Sequence, residues 1–106
     1  MVTLLTKENF KEIVEQSDKP VVLDIFATWC GPCQYMKPIF HQVAQELGDR
    51  YIFAELNVDE SRDLAVQFSV TSVPTFLFIK QSKVEGRETG YMGKDDLKAK
   101  IQEYLG

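Results

Sequence analysis

Soft metal ligands are scarce in this chain of 106 residues, which has two cysteines and one histidine. A closed tetrahedral metal centre takes four ligands, so only a site shared between subunits could complete one here. Long apolar runs are missing as well. The opening Met1-Val2-Thr3-Leu4-Leu5 meets Lys7 and Glu8 almost at once, and no stretch reaches the length of a secretory signal or a membrane span. Positive charge is neither in excess nor clustered: the formal net charge is −4, and Lys80, Lys83 and Arg87 stand apart, which leaves little to attract a phosphate backbone. These absences predict a cytoplasmic protein that binds no metal and acts on neither nucleic acid nor membrane. What is present, 44% hydrophobic and 26% charged residues without repeats or low-complexity segments, suits one globular domain spanning 1–106.

The pattern of apolar residues predicts alternating elements. Thr6 is placed to cap a first helix carrying Phe10, Ile13 and Val14, which Asp18-Lys19-Pro20 ends. Val21 to Phe26 is an almost unbroken apolar, β-branched run, the mark of a strand covered on both faces. From Pro32 to Leu47 the residues Met36, Ile39, Phe40, Val43 and Leu47 recur at helical spacing, with Gly48 as the stop. Ile52, Ala54, Leu56 and Val58 alternate with Phe53, Glu55 and Asn57 as in a strand. A short helix from Ser61 to Phe68 follows, then strands at Phe76 to Lys80 and Val84 to Thr89 joined by a tight turn. A closing helix carries Leu97, Ile101 and Leu105, with Asp95 and Asp96 in its first turn. This order predicts an α/β layered sheet with parallel crossovers early and an antiparallel hairpin late.

Cys30 and Cys33 stand where the apolar strand gives way to a helix. A bridge across so small a loop constrains the unfolded chain little, so the pair argues for chemistry over scaffolding. Unpaired N–H groups at a helix N-terminus carry partial positive charge and stabilise a thiolate, which makes Cys30 a nucleophile near neutral pH. Pro32 suits the first helical turn, where its missing N–H costs nothing. Gly31 removes bulk beside Cys30, and Cys33, one turn further in, can attack a disulfide formed at Cys30. Asp24 lies within the apolar run, and a buried lone carboxylate tends to keep its proton. Trp29, just before the nucleophile, is expected at the surface.

Trp29 to Cys33 reads WCGPC, and over essentially the whole chain the sequence resembles the thioredoxin family. Asp24 matches the family's buried aspartate, Pro38 its helix-kinking proline, Asn57-Val58-Asp59 the approach to its third helix, Val73-Pro74-Thr75 its cis-proline loop and Gly90 its groove glycine. The resemblance implies a central mixed five-stranded sheet flanked by four helices. It implies a protein-disulfide reductase with Cys30 as nucleophile, Cys33 as resolving thiol and Asp24 accepting the Cys33 proton through water. Gly31 and Pro32 would tune the redox potential, while Trp29, Val73, Pro74, Gly90 and Tyr91 would form the substrate groove. No bound cofactor is implied. NADPH would act only through thioredoxin reductase, and the partners would be that reductase and disulfide-containing proteins, met by a monomer.

Two other readings share this fold: a thiol oxidase or disulfide isomerase, and a binding subunit with incidental redox activity. Gly-Pro between the cysteines resembles the reducing members. Glu55 departs from the pattern, since some members carry lysine there; close to Asp24 it would raise the aspartate's pKa, and turned to solvent it would do nothing. Phe26 replaces a frequent tryptophan, and the turn Lys80-Gln81-Ser82-Lys83 lacks the Asn-Gly favoured in two-residue hairpins. His41 reads as an ordinary helix residue.

Overall fold

Val21–Phe26 forms the middle strand of a five-stranded sheet in a computed structural model that describes residues 1–106. Its residues are buried except for the partly covered Phe26, as a strand lacking polar alternation requires. In chain order the strands are β1 (Val2–Leu4), β2 (Val21–Phe26), β3 (Ile52–Asn57), β4 (Thr75–Lys80) and β5 (Lys83–Thr89). They lie in the spatial order β1-β3-β2-β4-β5. β1 and β2 run parallel to β3, whereas β4 is antiparallel to both β2 and β5. The helices are an opening turn (Lys11–Glu15), α1 (Gly31–Leu47), α2 (Arg62–Gln67) and α3 (Lys94–Leu105).

Alternation along the strands divides the core in two. Val22, Phe53, Phe76 and Phe78 face Met36, Phe40 and Val43 of α1 and Leu97 and Ile101 of α3. Val21, Leu23, Ile25, Ala54, Leu56 and Leu77 face Val14 of the opening turn and Leu64 of α2. Asp24 takes its place on the β2 face that carries Val22, and it is 2% exposed.

Four local expectations needed adjustment. β1 adds a strand that the apolar pattern did not mark, and it supplies the fifth strand that the family resemblance implies. The opening turn closes with a bond from the Gln16 N–H to the Lys11 carbonyl, five residues back. There it is the Asn9 side chain that accepts from the Thr6 N–H, at 2.7 Å, and not Thr6 that caps. Gly48 keeps a right-handed conformation (φ −64°); a side chain is excluded because a Cβ would stand 2.7 Å from the Ala44 carbonyl oxygen. The β4–β5 hairpin has Gln81 and Ser82 at φ 52° and 66°, the doubly left-handed geometry for which Asn-Gly is favoured.

Gly86 on β5 lies under the ring of Tyr104, which donates from its hydroxyl to Glu88 at 2.6 Å and packs on Phe78 with ring centroids 5.0 Å apart. An alanine methyl would stand inside that ring, and the ring is held at both ends. Gly86→Ala is therefore expected to destabilise the fold by about 1–3 kcal/mol, read as a lower urea midpoint. An unchanged midpoint would mean that α3 slides without cost.

Candidate active site

The end of β2 delivers the chain into Ala27-Thr28-Trp29 and then into α1, so both cysteines sit at the carboxyl edge of the sheet's middle strand. Cys30 is the N-cap of α1, in extended conformation (φ −92°, ψ 115°), and Gly31 and Pro32 begin the helix. The Cys33 N–H donates to Cys30 Sγ at 3.2 Å. Sulfur thus fills the place that a serine or aspartate oxygen takes in most N-caps. Negative charge on that sulfur would meet an orphan N–H and the positive end of the helix dipole. The two cysteines are joined as a disulfide with their Cα atoms 5.3 Å apart, and the residues are 6% and 4% exposed.

The two sulfurs face different surroundings. Cys30 Sγ lies 3.7 Å from the carbonyl oxygen of Val73. Val73 precedes Pro74 through a cis peptide bond, and the hydroxyl of Thr75 donates to Ser72 at 2.7 Å across the same loop. The Gly90 N–H donates to the Pro74 carbonyl at 2.9 Å and fastens the end of β5 to that loop. Gly90 has φ +91° with no atom near a would-be Cβ, so conformation and not space calls for glycine there. Gly31 likewise leaves open space beside Cys30.

Trp29 is 71% exposed and Tyr91 55%. The indole N–H of Trp29 donates to Asp59 Oδ2 at 2.9 Å, and Asp59 is itself set by the Asn57 carboxamide, which accepts from the N–H groups of Asp59 and Glu60. Beside Trp29 runs an apolar groove of about 400 Å³ whose walls include Val58, Ala65, Val70 and Val73. Sequence reasoning missed Val58, Ala65 and Val70 as groove residues, because an apolar residue at a surface groove carries no mark that separates it from the core. It also missed the Trp29–Asp59 bond, for which the Asn57-Val58-Asp59 segment was the available signal.

Behind Cys33 is a second, polar cleft of about 320 Å³ that includes Asp24, Thr28, Gln34, Lys37 and Glu55. Asp24 Oδ1 is buried with no hydrogen-bond partner. Burial pushes the Asp24 carboxyl from its ordinary 3.8 up to about 7, and the neighbouring Glu55 adds to the rise. Glu55 is the register partner of Asp24, lines the same cleft and has a side chain only 13% exposed, so it does not turn to open solvent. His41 is not an idle helix residue either, since its Nε2 lies 3.1 Å from Glu55 Oε2. Pro38 lies inside α1, where it withholds the N–H that Gln34 would otherwise receive.

No group of three or more His, Cys, Asp or Glu side chains converges as a metal site, and no helix is long and apolar enough to cross a membrane. The arrangement as a whole offers one sulfur at a helix N-terminus beside an open groove, a second cysteine on a cleft shared with a buried acid, and a backbone carbonyl next to the first sulfur.

Comparison with known proteins agrees with this geometry. The sequence profile of the family Thioredoxin matches residues 1–103. The chain is 40% identical over 101 residues to a thioredoxin of Chlorobaculum thiosulfatiphilum, covering 95% of this chain and 94% of that one. It is 36% identical over 100 residues to the chloroplastic thioredoxin Y of Oryza sativa subsp. japonica, covering 94% of this chain and 60% of that one. Among solved structures, the thioredoxin Mala s 13 of Malassezia sympodialis superposes with a TM-score of 0.90 at 30% identity, over 100% of this chain and 92% of that one.

Proposed function

The chain belongs to the thioredoxin family and is a thiol–disulfide reductase, and from that premise we propose how its residues divide the reaction. Residues 1–106 act as one thioredoxin domain. In the reduced protein the Cys30 thiolate, stabilised as the N-cap of α1, attacks one sulfur of a substrate disulfide. A Cys30–substrate bond forms as the substrate S–S bond breaks, and the other substrate sulfur leaves as a thiolate that takes a proton from solvent. Cys33 gives its proton to Asp24 through water in the polar cleft and attacks Cys30 Sγ. The mixed disulfide breaks, the second substrate thiol leaves with a proton, and Cys30–Cys33 is oxidised. Two electrons have passed from protein to substrate with two protons, one from solvent and one from Cys33 by way of Asp24, and the reaction needs no bound cofactor.

The substrate lies along the groove. Trp29, Tyr91 and the Pro74 loop supply apolar contact, Gly90 and Gly31 leave room for a backbone, and the Val73 carbonyl accepts from an extended substrate strand. Gly31 and Pro32 tune the redox potential by setting how the first turn of α1 meets Cys30. Electrons return through thioredoxin reductase, which draws them from NADPH. We assign the work to a monomer in the reducing milieu of the cytoplasm. The observation that carries the reading is the Cys33 N–H directed at Cys30 Sγ, with the Val73 carbonyl facing the same sulfur.

Equilibration of the pair against a glutathione or dithiothreitol buffer tests the direction of transfer. The expected potential is about −270 mV, where thioredoxins stand. A value near about −120 mV, typical of a strong dithiol oxidant, would overturn the reductase reading in favour of oxidation.

A further inference from the structure

Two carboxylates share the polar cleft behind Cys33. Asp24 on β2 and Glu55 on β3 are register partners in the parallel pairing of those strands, and both reach the cleft that Cys33 closes from α1. Glu55 is not left to choose its direction. Its side chain is 13% exposed, and His41, one helical turn beyond Lys37 on α1, holds Oε2 from the solvent side. The other groups that face Asp24 are few. From α1 come Cys33 and Lys37, with His41 acting through Glu55; from the loop before α1 comes Thr28; from β4 comes the apolar Phe76. Lys37 is exposed and enters no ion pair, so the one cation of the cleft is spent on solvent. Asp24 Oδ1 meets no donor at all.

Two carboxylates sharing one cleft resist simultaneous ionisation, and the more buried of them keeps the proton. We propose that Glu55, held by His41, is a positioning residue for the resolving step, its carboxylate setting how readily Asp24 is free to take the proton of Cys33. Glu55 touches neither sulfur; it acts on Asp24 through charge alone. The direction of the Asp24 shift, raised by burial first and by Glu55 second, agrees with this arrangement. The inference rests on Asp24 being the proton acceptor.

Glu55→Gln removes the charge and keeps the shape, and Glu55→Lys reverses the charge. In the intact oxidised protein, the midpoint of the Asp24 carboxyl carbon signal against pH is expected to fall by roughly 0.5–1 unit in Glu55→Gln, and further in Glu55→Lys. Single-turnover reduction of a quenched fluorescent peptide disulfide by the reduced proteins, followed from pH 5 to 9, is expected to shift its midpoint in the same order. A merely structural role for Glu55 would not order the three charges in this way. Glu55→Ser serves as the neutral variant should the glutamine variant fail to fold. Asp24→Asn separates the two readings. If it leaves the wild-type pH profile intact, Asp24 is not the acceptor and the premise falls. If it flattens the profile while both neutral Glu55 and wild type titrate alike, the premise stands and the role of Glu55 is overturned.

Discussion

Cys30→Ser is expected to lose disulfide reduction by at least about three orders of magnitude, down to the uncatalysed background, while Cys33→Ser attacks once and stops. The two cysteines are nearly equally buried, so exposure does not assign their roles. Surroundings do. Cys30 Sγ receives the Cys33 N–H and looks onto Val73 and the groove beside Trp29, where a substrate disulfide can approach a thiolate already stabilised by the helix terminus. Cys33 faces inward, to the cleft that holds Asp24. A serine at position 30 leaves no low-pKa nucleophile at the groove. A serine at position 33 leaves the nucleophile and removes the only group that can release the substrate. Intact-mass measurement after mixing with a peptide disulfide checks both: no adduct on the Cys30 variant, and one stable mixed disulfide per chain on the Cys33 variant. Turnover by the Cys33 variant at the wild-type rate would refute the division of roles.

Asp24→Asn is expected to make the protein more stable and a slower reductase, with the gain in stability growing with pH. Folded, the Asp24 carboxyl holds its proton up to about pH 7; unfolded, it ionises near its ordinary 3.8. Between those values the unfolded chain binds fewer protons than the folded one, so stability falls as pH rises through that window. The contribution is whole below about pH 4 and gone above about pH 7. A difference of about 3 units corresponds to roughly 4 kcal/mol at most. Asparagine has no proton to lose, so the variant lacks this slope. Its urea midpoint should exceed that of the wild type by a margin that is small at pH 4 and largest at pH 8. Parallel curves at all pH values would mean that Asp24 is not held neutral by the fold. The wild-type residue thus costs stability at neutral pH, as expected of a group kept for the proton transfer proposed for it.

Much of this was legible before any coordinates. The run Val21 to Phe26, the helical spacing from Met36 to Leu47 and the hairpin after Phe76 are local patterns, and local patterns report elements because burial repeats with the period of the backbone. β1 escaped them because three residues are too few to display a period, and Val2–Leu4 becomes a strand only by pairing with β3, some fifty positions away. The hairpin turn escaped for the opposite reason. Gln81 and Ser82 do not favour left-handed backbone, and the pairing of β4 with β5 holds them in it. Gly48 was expected as a helix stop for its dihedral freedom, but there the Ala44 carbonyl and not the dihedral angle forbids a side chain.

The sequence by itself determined the reactive unit. Cys30-Gly31-Pro32-Cys33 at a strand-to-helix junction carries its chemistry locally, because the helix terminus that stabilises the thiolate belongs to the same few residues. The burial of Asp24 also followed from its apolar neighbours in the chain. Tertiary structure alone decided what surrounds that unit. Only the packing of α1 on β3 brings His41 to Glu55, and only the register of β2 with β3 sets Glu55 beside Asp24. Only the folding of the Val73–Pro74 loop against α1 carries the Val73 carbonyl to Cys30. Charge and contact act through space, over a few ångströms, between residues that stand tens of positions apart in the chain. The order of residues names the groups that react, and the fold sets which other groups they feel.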